Sequence, residues 1–409
     1  MQPTVYLLDQ HQIPPEKIDE HASFVISTLR QAGHKAYLVG GGVRDLLLKQ
    51  KPKDFDVSTS AKPEEVRALF RNAILIGRRF RLAHIRFGKK IIEVSTFRAG
   101  EGSADLIVRD NVWGTEEEDV LRRDFTINGL FYDPDEQTVI DYVGGYLDLE
   151  KKVLRTIGEP KTRFSQDPVR MIRLIKFCAR FGFAIDHDTL SALLHCKGEI
   201  LKSSSARVLE EILRMLESGA AKSFFHLLHE YGLLHSLLPE VAAYFDANLD
   251  NEVLALLCEV DAEVRKGSLD RSLLIAALLF PLFRHRLLLR AQRGEQLHLG
   301  IVQQEAFEAV DQIFAPYLIL PRRFSSMAAA ILTAQFRIQP LDDRPLRRPR
   351  PPREYTFAFA MTLFKLRSMI QPELLPYYTA WSEAMYNQEL PPPPPPEKRR
   401  RRRRRRPNP

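Results

Sequence analysis

The chain has 409 residues, of which 44% are hydrophobic and 27% charged, so it is too long for one compact core and two to three domains are expected. That composition excludes a collagen-like, mucin-like or wholly disordered chain, and the length excludes a one-module binder. The formal charge is +8, yet Lys398 and Arg399 to Arg406 supply nine positive charges against Glu397, leaving 51 basic and 51 acidic residues elsewhere.

No run approaches eighteen consecutive apolar residues, and Met1 to Pro15 lacks a basic segment followed by an apolar one, so neither a membrane span nor a secretory leader is expected. Cys178, Cys196 and Cys258 are too few and too irregularly spaced for a disulfide framework or a zinc clip. A reducing cytoplasm is the expected location.

From residue 35 to about 158, short apolar runs with β-branched residues alternate with helix-like stretches, which predicts an α/β domain with a mixed sheet. Among these runs are Ala36 to Val39, Ile74 to Ile76 and Lys90 to Val94. From Ser165 onward the apolar spacing lengthens to three and four, as in Val169, Ile172, Leu174 and Phe177, so the second half is expected to be helical. Residues 340–353 read as a proline- and arginine-rich surface insertion, and Tyr355 to Tyr386 as a return to helix. Pro391 to Pro396 form a polyproline spacer before a basic tail with no means of folding alone. The expected division is a head at 1–158, a neck at 159–235, a body at 236–390 and a disordered tail at 391–409.

In the run Tyr37 to Leu48, an apolar strand enters Gly40, Gly41 and Gly42 and continues into a helix, a turn that brings bare amides close to an anion. A triphosphate fits such a cradle, with Arg44 forking onto phosphate oxygens and Asp45 orienting it. Three glycines can equally form a plain turn, and the spacing matches neither GxGxxG nor a P-loop. In Lys53 to Val57, a strand would point Asp54 and Asp56 to one side with Cα atoms roughly 6.5 to 7 Å apart, while Phe55 enters a core. Such carboxylates suit two magnesium ions about 3.5 to 4 Å apart clamping an in-line phosphoryl displacement. Glu93 interrupts an apolar run and is the candidate third acid. The plainer alternative makes the two aspartates turn caps and Glu93 an edge-strand charge.

Taken together, Leu38 to Asp45 followed by Asp54-Phe-Asp56 resembles the class II nucleotidyltransferase family of tRNA CCA-adding enzymes and bacterial poly(A) polymerases. The resemblance implies that Asp54 and Asp56 bind catalytic magnesium, with Glu93 as third acid, and that Gly41, Gly42 and Arg44 hold the triphosphate. Leu121 to Asp133 is similar to the family's RRDFTxNA element, which implies ribose recognition by Arg123, Asp124 and Asn128; Gly129 replaces the usual alanine. Ser165 to Arg173 resembles the EDxxR helix, implying that Asp167 and Arg170 read the base, with Gln166 in place of glutamate. Asp167 can also be an N-cap, with Pro168 opening the helix. Asp141 to Leu149 is similar to the element linking head and neck, its paired glycines suited to a hinge or a hairpin turn. Ser205 to Leu216 matches a neck element in which Arg207 and Glu210 are expected to form a structural salt bridge.

Three further cues point toward the poly(A) polymerase branch: Gly77 to His84 with Ile91 to Arg98, the stretch Ile319 to Ser325 with Arg322 and Arg323, and the arginine-rich end. Lys398, Arg399, Arg400 and Arg401 begin a tail that attracts a polyphosphate backbone irrespective of its sequence, although it can also be a solubilising segment or a membrane-surface anchor. His187-Asp188 lacks companion histidines at metal-ligand spacing, and His84 reads as a packed or substrate-contacting residue. The expected activity is template-independent transfer of AMP from ATP to RNA 3′ ends, with two Mg2+ ions. Messenger and regulatory RNA are the expected acceptors, with tRNA precursors as a further class. CCA addition and a catalytically silent RNA-binding homologue are the alternatives.

Overall fold

The computed structural model describes residues 2–77, 82–99, 112–247, 249–315, 317–339 and 349–386. The proline–arginine insertion from 340 to 348, residues 78–81 of the arginine-rich motif and the whole basic tail lie outside the described residues.

Eight strands form one mixed sheet: β1 (Thr4–Tyr6), β2 (Ala36–Val39), β3 (Asp56–Thr59), β4 (Ala73–Ile76), β5 (Leu82–Phe87), β6 (Lys90–Thr96), β7 (Leu130–Asp133) and β8 (Thr138–Asp141). They lie in the order β1-β8-β7-β2-β3-β6-β5-β4. All neighbours are antiparallel except β3 and β6, which run parallel. The apolar runs at Ala36, Ile74 and Lys90 thus become β2, β4 and β6, as their patterning predicts. β1 and the helix Glu20–Gln31, which starts at an Asp19 cap donated to by the His21 and Ala22 amides, precede the first run legible as a strand.

The two faces of the sheet have different fates because strand side chains alternate. Val57 and Val94 point into the main core, whereas the register row Phe131, Val39, Asp56, Glu93 and His84 crosses the other face. Its apolar end joins a small cluster of Val39, Phe97, Val120, Phe131 and Ile157, and its acidic end is left for chemistry.

Asp141 to Leu149 is not a hairpin: it ends β8 and opens a helix. The Asp141 carboxylate accepts the amides of Val143, Gly144, Gly145 and Tyr146 at 2.9, 2.9, 3.1 and 2.9 Å, opening the helix Gly145–Glu150. Gly144 sits at φ 77°, and a Cβ on Gly145 would lie 2.0 Å from the Thr126 carbonyl oxygen. Gly145→Ala is therefore expected to destabilise the chain by about 2 kcal/mol or more; a thermal unfolding curve matching wild type would refute this close-packing account.

Beyond a two-stranded parallel pair, β9 (Val153–Leu154) with β10 (Ala184–Ile185), the described elements are helical. Asp186 caps the next helix through the Thr189 amide, so His187-Asp188 opens that helix. The helix Arg271–Gln292 is long and apolar enough to cross a membrane, but 72% of its apolar window is buried within the fold, as befits a core helix. Arg271 at its start bridges Glu210 and Glu217, binding the helix Ser205–Leu216 to the body. Glu210 thus pairs with Arg271 and Arg214; the expected Arg207–Glu210 bridge does not form.

Candidate active site

A cleft of about 420 Å3 opens where the sheet meets the helix Val169–Phe181, lined by Gly40, Gly41, Arg44, Asp56, Arg122, Arg123, Asp124, Asn128, Asp167, Arg170, Arg173 and Phe177. Five arginines face three aspartates across it, so its lining favours a polyanion. The Nε–H groups of Arg123 and Arg173 are buried without a hydrogen-bond partner among the described residues. Unspent guanidinium donors of this kind suit phosphate or sugar oxygens.

The floor comes from the glycine turn. Gly40, at φ 66°, caps the helix Gly41–Leu47, and a Cβ on Gly42 would approach the Asp54 carbonyl oxygen at 3.3 Å, so the turn packs directly on the acidic loop. Arg44 is buried beside the stacked rings of Phe177 and Phe181, its guanidinium carbon 5.1 and 4.9 Å from their centroids. It donates to Asp45 Oδ1 from Nε (2.9 Å) and Nη2 (2.7 Å), and to Asn128 Oδ1 from Nη1 (2.6 Å). Burial pulls its pKa down. Asp45 therefore holds Arg44 as expected, but lies outside the cleft lining, and Arg180 reaches its second oxygen at 3.3 Å.

Asp124 links the head to the neighbouring helix. Its Oδ1 accepts the Phe125 amide (2.8 Å) and Asn128 Nδ2 (2.9 Å), while Arg173 Nη2 lies 2.6 Å from Oδ2 as an ion pair. Burial alone would raise this carboxyl; Arg173, Asn128 and the Phe125 amide together hold it down at about 2. Arg123 donates to Asp119 at 2.9 Å and reaches toward Ser58 and the Asn128 carbonyl. It is anchored beside the turn, above the Phe131 ring.

On the opposite wall, Asp167 ends the helix Pro160–Gln166, and its side chain caps nothing; it is gripped by both Nη atoms of Arg207 at 3.0 and 2.8 Å. The next helix begins after Pro168. Arg170 donates to the carbonyls of Arg163 (2.9 Å) and Arg122 (3.2 Å), two backbone oxygens that hold its direction. Gln166 instead accepts from Arg163 at 3.2 Å. Arg163, drawn down to about 10 by burial, donates its Nη2 to the Arg122 and Arg123 carbonyls, closing the wall onto the loop that carries Asp124.

The acidic rim differs from the strand-borne pair that the sequence suggests. Asp54 is exposed and precedes β3, whereas Asp56 begins it opposite Glu93 on β6. Glu93 is 43% exposed on an interior strand, so it is neither a buried charge nor an edge residue, and His84 Nε2 stands 3.3 Å from its Oε2. Burial, then the like charges of Glu93 and Asp54, push the Asp56 carboxyl up to about 6. A carboxylate at Asp56 repelled by both Glu93 and Asp54 fits a divalent cation, whose charge relieves the repulsion and whose preferred ligands are oxygens.

The fold thus brings Gly41, Arg44, Arg123, Asp124, Asn128, Asp167, Arg170 and Asp56 to one cleft, with Asp54 and Glu93 near Asp56 and Gly42 packed beneath it. Arg322 and Arg323 do not line it; they are exposed at the start of the helix Arg322–Ile338, and Lys398, Arg399, Arg400 and Arg401 lie outside the described residues. Sequence reasoning missed Arg122, Arg173 and Phe177. Arg173 was the most findable, one turn beyond Arg170 on the same helix.

Residues 36–155 match the family model of the poly A polymerase head domain, and residues 182–245 match the model described as the probable RNA and SrmB-binding site of polymerase A. Poly(A) polymerase I of Escherichia coli O6:H1 is 40% identical over 356 residues, an alignment covering 82% of this chain and 76% of that protein. The chain belongs to the bacterial poly(A) polymerase family. A CCA-adding enzyme of Lactobacillus helveticus is 38% identical over only 193 residues, 47% of this chain and 48% of that protein. Among solved structures, the Bacillus stearothermophilus CCA-adding enzyme in complex with CTP aligns with a TM-score of 0.65 and 27% identity, covering 91% of this chain and 82% of that one. The head-and-helices architecture is therefore shared across both branches, while sequence similarity extends into the body for the poly(A) polymerases. The chain is a nucleotidyltransferase by family.

Proposed function

We propose that the protein adds AMP from ATP to RNA 3′ ends without a template, releasing pyrophosphate. The observation that carries this is the extent of similarity to poly(A) polymerase I, beyond the half-chain shared with CCA-adding enzymes. The cleft supplies a chemical basis. Gly41 and Gly42 let the triphosphate approach the turn, and Arg44, with Asp45 locking its orientation, keeps positive charge beneath it. Asp124 and Asn128, already hydrogen-bonded to each other, present a fixed edge to the ribose with Arg123 beside them. Asp167 and Arg170 face the base, their directions fixed by Arg207 and by two backbone carbonyls, so an incoming base meets a preset pattern of acceptor and donors.

Asp54 and Asp56 would hold Mg2+, with Glu93 as the third acid. Bound there, magnesium supplies charge neutralisation at the triphosphate and lowers the pKa of the attacking 3′-hydroxyl. No protein base is required for such a transfer, which leaves His84 as a neighbour of Glu93. Arg322, Arg323 and the basic end from Lys398 would retain RNA through its phosphates, and the setting of the reaction would be the cytoplasm.

Incubation of the protein with a labelled RNA and one nucleotide at a time tests the reading. A long ladder with ATP alone is expected; short addition that depends on CTP would establish CCA addition in its place. Arg207→Ala should release Asp167 and reduce ATP-over-CTP discrimination by about tenfold, the loss of one charge-assisted hydrogen-bonded pair. Unchanged ratios of kcat/KM for the two nucleotides would remove Asp167 from base reading.

A further inference from the structure

Away from the cleft, three consecutive helices bring His229, His235 and Asp246 to one point on the surface. His229 lies in the last turn of Ala221–Glu230, His235 within Leu234–Leu237, and Asp246 ends Pro239–Asp246. His229 Nε2 is 2.7 Å from Asp246 Oδ1 and His235 Nε2 is 3.0 Å from Oδ2. All three ligand atoms lie within 4.8 Å of one another, and this is the group of its kind among the described residues. The platform beneath is fully packed: Phe225, Leu228, Leu234, Leu237, Val241 and Phe245 are each at most 3% exposed. The rings of His229 and His235 lie 26° from parallel with centroids 5.5 Å apart, so both nitrogens converge on the carboxylate from one side.

We propose that His229, His235 and Asp246 form a binding site for a zinc-class divalent cation that ties these three helices together. Two imidazole nitrogens and a carboxylate oxygen are a borderline N/O set, preferred by zinc and its transition-metal neighbours and poor for magnesium. In a tetrahedral zinc site with bonds of about 2.0 to 2.1 Å, ligand atoms stand roughly 3.3 Å apart, so the present separations require only small side-chain adjustments. Each imidazole binds through Nε2 as a neutral base, so the Nε2 proton now shared with Asp246 is released to solvent or replaced by one on Nδ1. The exposed side of the triad leaves at least one coordination position to water. The site falls within and just beyond residues 182–245, so an ion there would brace the segment that matches the RNA-binding family model.

The full-length protein in millimolar Mg2+, which keeps the acidic rim of the head occupied, is titrated with Co2+. One equivalent per chain is expected to give a visible absorption band that Zn2+ displaces, and Zn2+ should raise the melting temperature while further Mg2+ does not. His235→Ala and, separately, Asp246→Asn should abolish both effects while RNA extension in Mg2+ continues unchanged. The absence of a band, or a band that survives in both variants, would show that the three residues form only a hydrogen-bonded triad and would overturn the proposal.

Discussion

Asp56→Ala is expected to reduce AMP incorporation by roughly a thousandfold or more, about 4 kcal/mol of transition-state stabilisation, while leaving the fold intact. Asp56 is the one rim carboxylate that also lines the cleft, and it stands in register with Glu93 on the neighbouring strand. Its removal takes away a proposed metal ligand without opening the core, because the adjacent Val57 and Val94 point to the other face. The measurement is initial rate on a labelled RNA at saturating ATP, beside a thermal unfolding curve. A variant that keeps more than a tenth of wild-type activity would remove the acidic rim from the reaction. The unfolding midpoint should change little or rise, since the substitution relieves repulsion with Glu93 and Asp54.

The second large effect is structural as well as catalytic. Asp124→Asn is expected to cost about 2 kcal/mol of stability at neutral pH, because the buried carboxylate gives up its charge-assisted bonds and leaves the part-exposed Arg173 opposite a neutral group. The pH dependence has a definite sign. The carboxyl is held at about 2 in the folded chain against an ordinary 3.8, so its extra stabilisation is complete above about pH 4 and is lost as pH falls toward 2. That part amounts to roughly 2 kcal/mol. The stability difference between wild type and variant should therefore be flat from neutral pH to about pH 4 and shrink below it. A difference that grew with acidification would contradict the ion-pair account. The variant should also raise KM for ATP, since the Asn128 Nδ2 bond weakens from a carboxylate to a neutral amide acceptor and the proposed ribose edge loosens.

Much of the head was legible because its signals are local. A strand running into three glycines and a helix is visible within a dozen residues, and the alternation around Val57 and Val94 separates the core face from the acidic one. The partners that fix the site were not legible. Arg207 grips Asp167 from 40 positions away, and Arg163 reaches the Arg122 and Arg123 carbonyls from a similar separation, contacts that only the packing of helix against helix creates. Salt-bridge spacing on one helix favoured Arg207 with Glu210, but Arg271 from a later helix takes that glutamate. The resemblance to the EDxxR helix likewise put Asp167 and Arg170 on one helix, whereas one helix ends at Asp167 and the next begins after Pro168, leaving the aspartate to pair with Arg207. The glycines at 144 and 145 read as flexible, yet a four-amide cap on Asp141 and the Thr126 carbonyl hold them fixed.

The most direct test of the catalytic assignment is anomalous X-ray scattering from crystals grown with Mn2+ and a non-hydrolysable ATP analogue. Manganese coordinated by Asp54 and Asp56 beside a triphosphate lying on the Gly41–Gly42 turn is the predicted result. A nucleotide seated elsewhere, or manganese bound to the triphosphate with both aspartates turned away, would contradict it.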